Sequence, residues 1–432
     1  MKKILFLLLV GIVAYPANAS VLDKVHLTGE VQTIAASTDH SSNMFTIWGT
    51  DASYYRGTKT RAMAGFSADI YENVQANILF QYVYNWGDRN YTNNGFSTGT
   101  GMRLANANLA FSNLFDSLDV TIGRQFYGDE DSALIYFGPT HYKAEDHMYA
   151  KTLDGAVLAY HPSDALRITL MGGKIGNAQE IYSPSYSHYV TNATTFGADL
   201  KWWMRDNLML QTYIYDFQGS YMIIFPYKRE YKHHGFYGAK LKWTPDSYRF
   251  SVEYARNLAG DELLKEHHQG TYESTYMLKA DAAADLGKDW TVRGTFLYSK
   301  DFTYAYGNYT PGLLMENYFI RNLWVMSNVF NYSDLNSVGG TRLFNVGVDF
   351  RPTDKWEVSL DGYSFQNRVA SRQASLEADL TAKYNYSDNV QLFAGVGYIK
   401  NGTDVGTHFF GSYKKFYGPD NTKVQVGTIV RF

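Results

Sequence analysis

From about residue 20 onward the chain alternates. In "RAMAGFSADI", Ala62, Ala64, Phe66, Ala68 and Ile70 fall on one parity, and Arg61, Gly65, Ser67 and Asp69 on the other. "VQANILFQYVY" repeats the pattern with Val74, Ala76, Ile78, Phe80 and Tyr82, and "RFSVEYA" and "LEADLTAKY" do so later. Strict alternation over such lengths marks strands with one apolar and one polar face. It predicts eighteen strands, near 23–35, 60–70, 74–85, 103–112, 118–126, 153–160, 165–173, 194–203, 208–217, 235–243, 247–257, 273–282, 290–300, 340–351, 356–366, 374–384, 389–400 and 422–432. A further hairpin around "FIRNLW" would raise the number to twenty, and sixteen is the lower alternative.

The connections alternate between short and long. The short ones, among them "YENV", "HPSDAL", "RDNL", "TPDSY", "LGKDW" and "RPTDKW", share a turn chemistry. Proline pre-sets the turn dihedral, and Asp or Asn caps the turn with its side chain. Successive short turns, at Glu72, Asp116, Asp164, Asp206, Asp246 and Asp289, lie 40 to 48 residues apart, which leaves room for two strands and one long loop. Lipid offers no hydrogen-bond partner, so a membrane sheet must close on itself. A tilted strand of about 9–11 residues crosses the hydrocarbon. Outer-membrane barrels have short periplasmic turns, longer outer loops and aromatic girdles. Aromatics gather at segment ends here, at Tyr82, Tyr84, Trp202, Trp243, Trp290, Tyr298, Trp356, Tyr384 and Tyr398. The predicted fold is all-β, a transmembrane antiparallel up-and-down β-barrel. A soluble β-sandwich or solenoid, the competing fold, would need no such apolar outer face. In the final "VQVGTIVRF", Val424, Val426, Thr428, Val430 and Phe432 share one parity. Barrel closure requires this strand to pair with the first, near Val25–Thr33, and sets Phe432 at the periplasmic interface facing lipid.

Composition agrees with sheet. The chain has 37 Tyr, 26 Phe and 8 Trp, residues that favour strands. It has no cysteine, hence no disulfide staple and no thiol chemistry. A net charge of −3 gives no basis for nucleic-acid binding. "MKKILFLLLVGIVAYPANAS" has two lysines, an apolar run and Ala17-Asn18-Ala19 before Ser20. That is the build of a secretory signal peptide, residues 1–19, ahead of a barrel domain over 20–432. The rival reading, a membrane anchor, needs roughly 20 apolar residues. The expected location is the outer membrane of a Gram-negative-type bacterium.

A barrel of this strand number is too wide for side chains to fill, so function is read from the inward parity. Inward bases and acids are nearly balanced, but their distribution is uneven. Arg167, Lys201, Lys240, Lys242 and Arg249 lie on neighbouring strands. Asp349, Glu357, Asp361, Glu377 and Asp379 lie on strands roughly across the barrel. Opposed charged walls would orient polar solutes. The alternative is lumen salt bridges that satisfy one another. Loop 127–152, with its acids, His141, Lys143 and aromatics, is either a constriction folded into the pore or an outer lid. The acids Asp129, Glu130 and Asp131 lack the spacing of a defined calcium loop. No catalytic order of residues, metal site or cofactor is expected, so the chain does not read as an enzyme. A barrel hydrolase and a purely adhesive or structural barrel without an open pore remain the alternatives.

Two stretches resemble the alginate-export family of outer-membrane barrels. One is "LDVTIGRQF" with Gly123, Arg124 and Gln125, followed after the long loop by "LDGAVLAY" with Asp154 and Gly155. The other is "FNVGVDFRPTDKWEVSLDGYSF". The resemblance implies an 18-stranded channel passing polysaccharide or smaller hydrophilic solutes by export or diffusion. The balanced lumen departs from the strongly basic pore of the alginate exporter proper and leaves the substrate unassigned. The aromatic-terminated last strand resembles the signal read by the barrel-assembly machinery, so that machinery, membrane lipid and a hydrophilic solute or polysaccharide are the expected partners. Arg124 matches the family's arginine. Its parity points to lipid, and a bulge at Gly123 would turn it inward to meet Asp154; the other position is at headgroup level.

Overall fold

The computed structural model describes residues 24–38, 55–86, 102–130, 132, 134–142, 150, 152–176, 194–218, 220–224, 227–231, 233–258, 275–300, 312–313, 341–367, 374–400, 406–409, 412–415 and 420–432. Its strands are β1 (Val25–Thr38), β2 (Tyr55–Tyr71), β3 (Val74–Trp86), β4 (Arg103–Leu114), β5 (Leu118–Gln125), β6 (Thr152–Ser163), β7 (Leu166–Gly176), β8 (Thr194–Arg205), β9 (Leu208–Gln218), β10 (Ser220–Ile224) and β11 (Tyr227–Tyr231). They continue as β12 (His234–Trp243), β13 (Tyr248–Asn257), β14 (Tyr276–Leu286), β15 (Trp290–Lys300), β16 (Thr341–Thr353), β17 (Trp356–Asn367), β18 (Ser375–Ser387), β19 (Val390–Lys400), β20 (Gly406–Phe409), β21 (Ser412–Lys415) and β22 (Asn421–Arg431). Eighteen of them form one closed antiparallel sheet. β10 with β11, and β20 with β21, are separate hairpins within two of the long connections. Each of the eighteen predicted strands has a counterpart in the barrel. The segment "FIRNLW" lies outside the described residues.

Closure follows from the register. β1 pairs with β2 on one side and with β22 on the other, with Glu30 opposite Arg431 and Thr38 opposite Lys423. Beyond the last paired strand residue, Gly29 N–H donates to the Phe432 carbonyl at 2.8 Å, and Phe432 N–H donates to the Gly29 carbonyl at 3.1 Å. No edge is left in the sheet at this seam, which a lipid environment requires.

The two faces differ as alternation demands. Outward positions carry exposed apolar side chains such as Ile122, Leu170, Val252, Leu360, Leu380 and Val426. Aromatics at strand ends pack in cross-strand pairs: Trp243 with Phe250, Trp290 with Phe350 (ring centroids 4.3 Å apart) and Trp356 with Tyr384. These pairs flank the short turns, where an aromatic girdle is expected of a membrane barrel. Tyr254, Tyr276 and Tyr298 stack at the opposite ends of their strands. Inward positions are mixed: many are polar and buried, among them Gln32, Arg61, Asn108, Asp361, Asp379 and Lys423, and others form an apolar cluster. Wall neighbours bury some of these groups, and chain that enters the lumen buries others.

Candidate functional site

Among the described residues the main occupant is the connection between β5 and β6. Its described residues enter the barrel and touch walls far apart in the sheet. Tyr127 shares a hydrogen bond with Tyr215 on β9 at 2.9 Å. Leu134 and Phe137 are fully buried, in a cluster with Tyr215, Phe217, Phe236, Met277, Leu343 and Phe365 from the barrel wall. Farther along, the Thr140 carbonyl accepts from Arg61 on β2, and Tyr142 donates to Gln391 on β19. The Gln425 amide on β22 donates to the Tyr142 carbonyl, and Lys383 on β18 sits over the Tyr142 ring. The returning strand is met at Ala150, which exchanges hydrogen bonds with Gln81 on β3. Of the two readings of this loop, constriction and outer lid, these contacts match the constriction. The apolar lumen cluster is what the loop packs on, and transfer of its side chains out of water drives the docking. Burial also pushes the Tyr127 hydroxyl up to about 12, so it stays protonated as a hydrogen-bonding group.

A denser polar knot fixes the loop to the closure seam. Glu30 on β1 accepts from Arg61 Nη2 at 2.7 Å, from Arg431 Nε at 3.1 Å and faces His141 Nε2 at 2.9 Å. The other ring nitrogen of His141 faces Glu130 at 2.9 Å, and His141 N–H donates to the same carboxylate. Arg61 is fully buried, so its partners must supply what water cannot.

The family-motif residues form the root of this loop. Arg124 Nε and Nη2 donate to the two carboxylate oxygens of Asp154 at 2.6 Å each, and Nη1 donates to the Leu104 carbonyl. The pair forms without the inward turn expected at a bulge. Gly123 has a left-handed φ of 123°, yet the ladders to β4 and β6 run unbroken through it. Arg124 and Asp154 therefore keep the parity of Ile122 and Leu158 and meet on the outer face, near the outer rim. This outward position corrects the inward one. On the inner face the Gln125 amide lies over the bare backbone and donates to the Gly123 and Gly155 carbonyls. Gly155 has no room for a side chain, because a Cβ would meet the Gly172 backbone. The two strands that deliver and retrieve the loop are thus clamped on both faces. Replacing either Arg124 or Asp154 by Ala is expected to lower barrel stability by about 1–2 kcal/mol, a bidentate pair discounted for its rim exposure. The swap Arg124→Asp with Asp154→Arg should recover most of the loss, as read by heat-induced unfolding in detergent.

The predicted wall residues all take inward parity. The bases lie on β7, β8, β12 and β13 near the short-turn side, with Arg167 opposite Lys201 in the ladder. Arg249 forms a bidentate pair with Asp285 at 2.7 Å, and Lys201 stands 3.9 Å from Asp129 of the loop. Arg167, Lys240 and Lys242 stand in no ion pair among the described residues. On the other side the acids are engaged locally. Arg293 bridges Asp349 and Asp361, while Glu357 pairs with Arg351 and Lys383. Glu377 and Asp379 both accept from the Leu313 N–H at 2.8 Å, and Lys423 donates to the Leu313 carbonyl. Sequence reasoning missed Arg293 as the bridge between acids, and missed that residue 313 enters the lumen. Both depend on contacts between residues distant in sequence. Among the described residues no cluster of His, Cys, Asp or Glu has the makeup of a metal site. Glu130 is engaged with His141 and Asp129 lies toward Lys201, while Asp131 and Lys143 lie outside the described residues.

No family model and no curated protein matches this sequence. Solved structures do match. OccK9 (OpdG) of Pseudomonas aeruginosa aligns with a TM-score of 0.60 at 9% identity, over 95% of this chain and 100% of that one. OccAB4 of Acinetobacter baumannii aligns at 0.59 and 11% identity, over 95% and 98%. OccK3 (OpdO) of P. aeruginosa aligns at 0.58 and 10% identity, over 97% and 99%. At these identities the likeness bears on the fold alone, a closed antiparallel β-barrel whose main sheet has 18 strands here. The resemblance to alginate exporters is carried by none of these comparisons.

Proposed function

We propose that this chain is an outer-membrane channel, not an enzyme, through which small hydrophilic solutes diffuse, with the β5–β6 loop as its constriction. The observation that carries the proposal is the loop itself, seated across a polar lumen inside a wall whose outer face is apolar. A barrel of this width encloses water unless something narrows it, and here the narrowing element belongs to the chain. A loop spanning the lumen favours small solutes over an exported polysaccharide chain. In this reading residues 1–19 direct export and are removed, residues 20–432 form the barrel, and Phe432 meets both lipid and the barrel-assembly machinery.

The lumen charges favour anions. Asp349, Glu357 and Asp361 are ion-paired where they stand, whereas Arg167, Lys240 and Lys242 stand in no ion pair among the described residues near the short-turn mouth, where low-dielectric walls focus the field. In a salt gradient across a planar bilayer the reversal potential should report anion preference. Changing Arg167, Lys240 and Lys242 together to Gln should reduce that preference on the order of a few-fold. An unchanged reversal potential in the triple variant would remove the charged-wall reading and leave the channel.

A further inference from the structure

The knot around His141 has a chemistry that the channel reading does not use. Each imidazole nitrogen faces a carboxylate at 2.9 Å, Nδ1 toward Glu130 and Nε2 toward Glu30. A neutral imidazole has one N–H and one lone pair, so it can donate to only one of them and must turn its lone pair on the other. Only the imidazolium donates to both. The geometry points to a protonated His141 as a latch that holds the constriction loop on the barrel wall, and we propose that its deprotonation releases the loop and widens the pore. This rests on the channel reading above.

The surroundings of the ring favour the charged form. Glu130 faces it from the loop and Glu30 from β1. Arg61 on β2 and Arg431 on β22 approach the same Glu30 carboxylate and share it with the ring. Tyr142 lies beside the imidazole, with ring centroids 6.3 Å apart, and Lys383 on β18 sits on the far side of that phenol. Tyr136, from the loop, lies in the field of the same Glu30, Glu130 and Arg61 charges. Burial by itself disfavours a charged imidazole, but the hydrogen bonds and charges of Glu130 and Glu30 outweigh it, so the His141 pKa lies above its ordinary 6.5. A histidine raised in the docked state holds the loop fully below 6.5, and the hold is lost as pH rises through the raised value. Acid does not mimic this release, because Glu30 also keeps its bonds to Arg61 and Arg431.

The wall behind the latch is suited to being uncovered. Gln32 is fully buried on the inward face of β1, beside Arg61 in the ladder, and neither of its amide atoms has a hydrogen-bond partner.

Single-channel conductance of the full-length protein in planar bilayers, from about pH 5 to about pH 10, tests this. The wild type should show a low-conductance state at acidic and neutral pH and a larger one at alkaline pH, with a midpoint above 6.5. His141→Gln should show the alkaline conductance at every pH, and Glu130→Gln, which removes one carboxylate, should move the midpoint down. Should His141→Gln fail to insert, the Glu130→Gln shift decides alone. A wild-type conductance flat over this range, or a Glu130→Gln midpoint unmoved, overturns the latch and leaves the channel standing. Protein that inserts and conducts at no pH overturns both.

Discussion

Replacing residues 129–149 with a short Gly/Ser linker should raise single-channel conductance by roughly two- to fourfold, because a barrel of this width holds water wherever chain does not fill it. The deletion removes Leu134 and Phe137, both fully buried against the lumen cluster. Burial of each such side chain contributes about 1.5–3 kcal/mol, so the shortened protein should also unfold at a lower temperature. It should still form a barrel, because closure rests on the ladders from β1 to β22 and not on the loop. Conductance in bilayers and heat-modifiable migration in detergent gels separate these two effects. A shortened protein that conducts no better than the parent would show that the loop does not limit flow.

The second large effect is expected at Arg61. Its guanidinium is fully buried, donates to Glu30 at 2.7 Å and to the Thr140 carbonyl at 2.7 Å, and so ties β1, β2 and the loop together. Truncation to Ala leaves Glu30 with less compensation in a site that excludes water. Breaking a buried pair in this way costs about 3–5 kcal/mol. Arg61→Ala should therefore lower the unfolding midpoint more than Arg124→Ala does, although both remove an arginine that holds the loop. The double change Arg61→Leu with Glu30→Gln should cost less than Arg61→Ala alone, since the carboxylate left behind drives the loss. Equal costs for the single and the double variant would mean that Arg61 acts through packing only.

Much of the fold was legible because lipid enforces it. A membrane strand must show apolar residues on every second position, so Ala62, Ala64, Phe66 and Ala68 could be read directly as one face. The short turns were legible because Asp and Pro at Asp164 and Pro245 mark a tight reversal whatever surrounds them. The inward parity of Lys240 or Asp361 then followed from counting by two. What lay beyond reach was set by contacts across the lumen. His141 meets Glu30 over 111 residues of chain, and Arg293 reaches Asp361 over 68. No local pattern encodes such meetings, so sequence left the docking of the loop and the pairing of the acids as open alternatives. Arg124 shows the same limit at short range. Its pairing with Asp154 was foreseeable from the motif, but its face depended on whether the positive φ at Gly123 broke the register, and it did not.

These expectations share one premise, a water-filled passage through a lipid-embedded barrel, narrowed by a loop of the same chain. Single-channel recording of the purified full-length protein, with neutral polymers of graded size added to both sides, measures that passage directly. Discrete ohmic openings are expected, reduced by small polymers that enter and unaffected by larger ones, with the size cut-off moving upward when residues 129–149 are shortened. Insertion without any current in either protein, or a cut-off that stays the same after shortening, would contradict it.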